Sequence, residues 1–237
     1  MNKFLIFFLI CCNFFSALAQ SPTPKDLQGL SSTAKFVENR GQIIDQEEKP
    51  NPKVRYLLNT AGLNVQLRNT GFSYDVYEKK ENKAREKETP NLPLTKRINQ
   101  EKSTISKYDF HRVDINFLNT NPGLSIQGNE KGSTYISFYN TPNKDKGVLK
   151  VFSFKSVTYK NLYQGIDLVF YVPKDSSKPV EYNFIIHPDG RITDIEMQIL
   201  GANAQLISGE LEMQLKFGKM KEIIRPAGFS KMVKIDR

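Results

Sequence analysis

Apolar residues return at every second position along much of this chain. Leu63, Val65 and Leu67 alternate with Asn64, Gln66 and Arg68. After Asn69-Thr70-Gly71 the alternation resumes as Phe72, Tyr74 and Val76 against Ser73, Asp75 and Tyr77. A period of two on both sides of a glycine-containing turn predicts a β-hairpin. A further strand is expected from Arg112, with Val113, Ile115 and Phe117 on one side and Asp114, Asn116 and Leu118 on the other, before a turn at Asn121-Pro122-Gly123. The pattern also predicts strands at 124–127, 134–139, 148–154, 157–162, 166–172 and 180–186. In the last of these Val180, Tyr182, Phe184 and Ile186 share a side, and His187-Pro188-Asp189-Gly190 turns the chain. Ile195, Met197 and Ile199 alternate next, and 204–207, 210–217 and 220–224 read as a meander with a short turn at Ser208-Gly209. About ten short strands with turns between them, and no long helix, predict an all-β, sandwich-like antiparallel domain.

Other stretches break the alternation. Residues 78–107 are crowded with Lys, Arg and Glu, contain Pro90 and Pro93, and have almost no apolar period. They read as a long charged surface insertion, mobile or partly helical near 79–87, that trypsin should cut first. At the front, Lys3 precedes an apolar run from Phe4 to Phe15, followed by Ala17-Leu18-Ala19 and Gln20. That charged, apolar, small-residue order predicts a cleavable Sec-type signal peptide over 1–19. Roughly a dozen apolar residues is short for a membrane anchor. Lipidation at Cys11 or Cys12 ranks below simple cleavage, because Ile10 and Cys11 stand where that processing wants a small residue. Residues 20–35, with Pro22 and Pro24, read as a flexible leader, 36–226 as the β domain and 227–237 as a tail. Both cysteines fall in the signal, so the mature chain has no disulfide and must rely on its core. The net charge of +9 drops by one when Lys3 is removed, and the remaining basic residues are dispersed, as on a solvated surface.

Candidate chemistry is sparse. In Asn39-Arg40-Gly41-Gln42, Arg40 could bind an anion, but the structural reading is favoured, with Gly41 supplying an unusual backbone angle and Arg40 pairing with a carboxylate. Asp167 lies opposite the Ile166, Leu168 and Phe170 face, where it is expected to accept backbone N–H groups rather than act as an acid. Glu181 is expected to be solvated, and a glycosidase pair with Asp167 would need the right separation. His111 and His187 are the only histidines and lack local metal-ligand spacing. There is no Gly-x-Ser-x-Gly elbow, phosphate loop or Asp-rich calcium loop. The aromatics fall mostly at core spacing, although their mixing with lysines near 152–163 could serve a polysaccharide. No catalytic, cofactor-binding or metal residues are therefore expected, and no enzyme.

Several segments carry a resemblance: 36–42 (FVENRGQ), 54–56 (VRY), 62–65 (GLNV), 157–171 (VTYKNLYQGIDLVFY) and 181–186 (EYNFII). Together they resemble the uncharacterised N-terminal β domain of large secreted Bacteroidota proteins. Those proteins often continue into SBBP repeats or adhesive modules and end in type IX sorting or gliding-motility-associated domains. The resemblance covers 36–226 and supplies no catalytic residues. Two features depart from it: Asn140-Thr141-Pro142-Asn143-Lys144 replaces the usual Gly-Asn-Asp-Pro-like loop, and there is no tryptophan. The downstream modules do not follow, so a truncation, a split gene or a fragment is expected. The resemblance implies a non-enzymatic, exported structural or adhesive module in the periplasm, at the cell surface or outside the cell. A carbohydrate-binding domain and a hydrolase of surface polymer are the alternatives. Partners would be other β modules or surface polysaccharide; no nucleic acid, no cofactor and no transmembrane segment after signal cleavage are expected.

Overall fold

The structure, a computed structural model, describes residues 6–14, 34–80, 107–141, 146–174, 178–207, 210–223 and 233–235. Its strands are β1 (Ile6–Phe14), β2 (Phe36–Glu38), β3 (Val54–Thr60), β4 (Leu63–Arg68), β5 (Gly71–Lys80), β6 (Lys107–Phe117), β7 (Ser125–Phe138), β8 (Val148–Tyr163), β9 (Ile166–Tyr171), β10 (Glu181–Ile186), β11 (Met197–Leu200), β12 (Asn203–Ile207), β13 (Glu210–Leu215), β14 (Gly218–Ile223) and β15 (Val233–Ile235). Among the described residues the one helical feature is the 3-10 turn Ile192–Asp194, which precedes β11. Among the described residues no helix is long and apolar enough to cross a membrane.

The predicted hairpin forms: Val65 pairs with Tyr74 and Leu67 with Phe72. The ladder continues further than expected, because β6 starts at Lys107 rather than Arg112 and β5 runs to Lys80. There the cross-strand pairs are Tyr77 with Phe110 and Lys79 with Tyr108, so pairing persists after the buried alternation has ended. The charged stretch is narrowed accordingly at both rims, and 81–106 lies outside the described residues. Two expected pairs of strands are in fact single long ones. Residues 124–127 and 134–139 merge into β7, and 148–154 and 157–162 into β8. The polar, glycine-containing segment between the two expected strands stays in the ladder: Gly128 pairs with Val157 and Asn129 with Ser156, and a register shift between Lys131 and Tyr135 takes up the extra residues.

The strands follow the order β12-β13-β14-β1-β10-β9-β8-β2-β3-β4-β5-β6-β11-β15, with β7 added to β8 alone. Neighbours run antiparallel except β11 and β15. This long sheet folds over on itself. Phe72 of β5 lies 5.0 Å from Phe170 of β9 and 5.3 Å from Tyr182 of β10, although those strands are far apart in the order. Phe117 of β6 meets Tyr159 of β8 at 5.6 Å. The result is an all-β, sandwich-like domain whose two inner faces enclose one aromatic core. Tilted and edge-on ring pairs of this kind add to the area they bury.

Candidate functional site

The Asn39–Gln42 segment is a structural clasp. Asn39 Nδ2 donates to the carbonyls of Asn51 (2.8 Å) and Val54 (2.7 Å), while its Oδ1 accepts the Gly41 N–H at 2.8 Å. Gly41 has the expected unusual backbone, with φ at 111°. Arg40 departs from expectation: its Nη1 donates to the Lys150 carbonyl at 3.0 Å, not to a carboxylate, because β8 passes beside it. Asn39, to which the residue pattern assigned no role of its own, organises the loop.

Asp167 does accept a backbone N–H. Its Oδ1 lies 2.6 Å from Asn161 N, and its Oδ2 lies 3.1 Å from His187 Nε2. Glu181 corrects the sequence reading. It is buried, accepting from the Tyr171 hydroxyl at 2.7 Å and pairing with Lys178 at 3.0 Å. Tyr171 stands directly opposite it on β9 and covers it. In that ladder Asp167 pairs with Ile185 and Glu181 with Tyr171, so the two acids stand at opposite ends, four residues or about 13 Å along the strand. That exceeds the roughly 5–9.5 Å of paired glycosidase carboxylates. His111 is held elsewhere, its Nδ1 accepting Lys216 N–H at 3.0 Å and its Nε2 2.8 Å from the Gly201 carbonyl. Among the described residues no group of three or more His, Cys, Asp or Glu side chains is placed to hold a metal ion.

The outer face of β4, β5 and β6 carries a polar network that the sequence could not assemble, since it needs the β5–β6 register. Arg112 donates from Nε to Asp114 (3.0 Å) and from Nη2 to Ser73 Oγ (2.9 Å), and pairs with Asp75 at 3.3 Å. Ser73 Oγ donates to Asp114 at 2.5 Å, and Gln66 Nε2 to Asp75 at 2.6 Å. Arg68 donates to the Phe72 carbonyl and to Asn116 Oδ1. Burial raises the Asp75 carboxyl above its ordinary range, with Arg112 and then Gln66 opposing. Burial likewise lowers Arg68, against the pull of Asp114. Beside this network Tyr77, Tyr108 and Phe110 form an aromatic shelf with centroids 5.5–6.5 Å apart, and Phe110 is 58% exposed.

A second aromatic group lies on the β7–β8 ribbon. Tyr135, Ile136, Tyr139 and Leu149 are all exposed, Tyr139 to 68%. Tyr135 meets Phe152 edge-on at 5.9 Å, and Lys131 Nζ sits 3.4 Å over the Phe152 ring. The aromatic and lysine mixing expected near 152–163 therefore splits. Phe152 is half-buried, packed against the core on one side and met by Lys131 and Tyr135 on the other, while Tyr159 and Tyr163 are buried in the core.

Residues 36–230 match a family described as a domain of unknown function, DUF7948. The chain belongs to that family. The DUF7948 match opens on Phe36, the first residue of β2 and the start expected from the sequence, and ends beyond β14. No curated protein and no solved structure matches the chain.

Proposed function

We propose that this DUF7948 chain is a non-enzymatic, exported β module that adheres through the β7–β8 ribbon. The observation that supports this is the exposed group of Tyr135, Ile136, Tyr139 and Leu149 on a ribbon whose outer strand pairs with β8 alone. Exposed apolar side chains gathered on one ribbon, here on both of its faces, offer a surface to a partner. Export through the Sec pathway and kinship with Bacteroidota surface proteins belong to the same proposal and draw on the leader and on the sequence resemblance.

A carbohydrate-binding reading has its own support in the Tyr77–Tyr108–Phe110 shelf, which adjoins the polar groups of Gln66, Asp75 and Arg112. Rings beside fixed donors and acceptors suit a sugar face.

Retention on immobilised surface polysaccharide and on isolated envelope protein separates the readings. The adhesive module predicts that Tyr135→Ala with Tyr139→Ala lowers retention about tenfold at unchanged thermal stability. Loss confined instead to Tyr108→Ala and Phe110→Ala would favour the sugar-binding face. Turnover of either polymer by the wild type would sink both.

A further inference from the structure

The strand β1, which falls within the stretch read as a signal peptide, occupies an interior place in the sheet. It pairs with β10 from Ile6↔Ile186 to Cys11↔Glu181, and with β14 from Cys11↔Ile223 to Phe14↔Met220. The far edge of β10 is held by β9, and that of β14 by β13. The two ladders overlap only at Cys11, so without β1 the edge of β10 and that of β14 would lie staggered along the sheet, two strand spacings or about 9.5 Å apart where they overlap.

The gap has a brace. Glu222 of β14 is 1% exposed and accepts from the Tyr182 hydroxyl of β10 at 2.7 Å and from the Tyr74 hydroxyl of β5 at 2.9 Å. The Tyr182–Glu222 bond crosses from β10 to β14 on the core side of β1. Tyr74 anchors it to the opposite half of the sheet. With β1 between them, the two strands are thus tied at a fixed spacing from the core side.

We propose that the place of β1 is a strand-acceptor slot which, once the leader has been removed, takes an extended apolar strand donated by a partner polypeptide. This rests on reading residues 1–19 as a cleaved leader. The chemistry of the donor follows from the register. Positions 8 and 10 stand opposite Phe184 and Tyr182, and positions 12 and 14 opposite Glu222 and Met220, all of which have buried side chains. A donor needs apolar or small residues at every second position over about nine residues, pairing with β10 along its first six and with β14 along its last four. An empty slot would leave unpaired edges of the kind that recruit strands.

To test this, a specific protease site is inserted after Gln20 of the full chain and cut in solution. The sample is then challenged with a labelled Ile6–Phe14 peptide carrying a lysine tail for solubility. The expected result is that the leader fragment stays bound after cleavage and exchanges saturably with the peptide. A Phe8→Pro, Ile10→Pro peptide, lacking two N–H donors, should bind at least about tenfold more weakly. Filling the slot should also slow amide exchange in Glu181–Ile186 and in 220–223. Three results would overturn the proposal: equal binding of both peptides; departure of the fragment with those amides still protected, meaning that β10 and β14 close directly; or self-association of the emptied chain without peptide uptake, making a second copy the occupant. The export reading is tested separately, by N-terminal sequencing of exported protein. A new terminus near Gln20 supports it, and an intact Met1 or lipid on Cys11 or Cys12 overturns it without touching the peptide result.

Discussion

Asp167 accepts the backbone N–H of Asn161 at 2.6 Å, beside the turn that joins β8 to β9. The ladder there shifts register between Tyr159 and Tyr163, and Asn161 holds a φ of 55°, uncommon for a residue with a side chain. The carboxylate satisfies an amide that this bulge takes out of the ladder. Asp167→Ala should lower stability by roughly 1–3 kcal/mol, and Asp167→Asn by less, because its amide oxygen still accepts. Denaturant midpoints decide: an Ala variant as stable as the wild type would remove the structural role. Polymer hydrolysis by the wild type, abolished in a fully stable Asn variant, would overturn the non-enzymatic reading.

The Asn39 clasp gives a sharper chemical test. Its Nδ2 satisfies two carbonyls at once, those of Asn51 and Val54. Asn39→Asp keeps the size and the acceptor for Gly41 but replaces the donor with a charge facing two carbonyl oxygens. It should cost at least as much as Asn39→Ala, roughly 1–3 kcal/mol. Melting temperatures that rank Asp above Ala would contradict this account.

Tyr159 is fully buried, and its hydroxyl is shared between the carbonyls of Arg68 (2.8 Å) and Gly71 (3.0 Å), tying the β4–β5 turn to β8 across the core. Burial pushes its pKa well up, so the hydroxyl stays a donor. Tyr159→Phe preserves the ring and removes only that bond. A loss of roughly 1–3 kcal/mol is expected in urea unfolding, and no loss would mean the carbonyls find other donors.

Asp75 makes a prediction in pH. Because burial raises its folded pKa, the native state holds the Asp75 proton more tightly than the unfolded chain does. The resulting stabilisation is present at low pH and is lost as the pH rises through the raised value. Arg112→Met removes the strongest opposing influence and should move Asp75 higher still. Carbon-detected NMR titration of both proteins reads this directly. An Asp75 at or below the ordinary carboxylate range in the wild type would refute it.

The fold class was legible because burial here follows a period of two. The alternation of Leu63, Val65 and Leu67, and then of Phe72, Tyr74 and Val76, reappears as buried core. Alternation failed where pairing and burial part company. The outer ends of β5 and β6 are paired but exposed, and β7 carries glycines inside a ladder rather than at a turn. Of β3 only Val54-Arg55-Tyr56 was named, as part of a resemblance, although the inner positions of the whole strand are buried. The position of Asp167 beside the strand turn could be inferred, whereas the fate of Glu181 depended on Tyr171, its partner across a ladder whose register no single segment contains. The Arg112 network and the Glu222 brace likewise join residues far apart in sequence, and only the folded sheet brings them together.

β8 runs for 16 residues, at most about 50 Å, with left-handed residues at Lys150 and Asn161. One of its edges carries β7 and the other is divided between β2 and β9. Tension applied along this strand would load the flanking ladders in shear, with many hydrogen bonds strained together instead of parting one after another. Resistance to a pull of that kind is set by the height of the unfolding barrier rather than by equilibrium stability. A protein tethered at a surface in flow would hold best when the drag runs parallel to β8, and would give way sooner when it runs across.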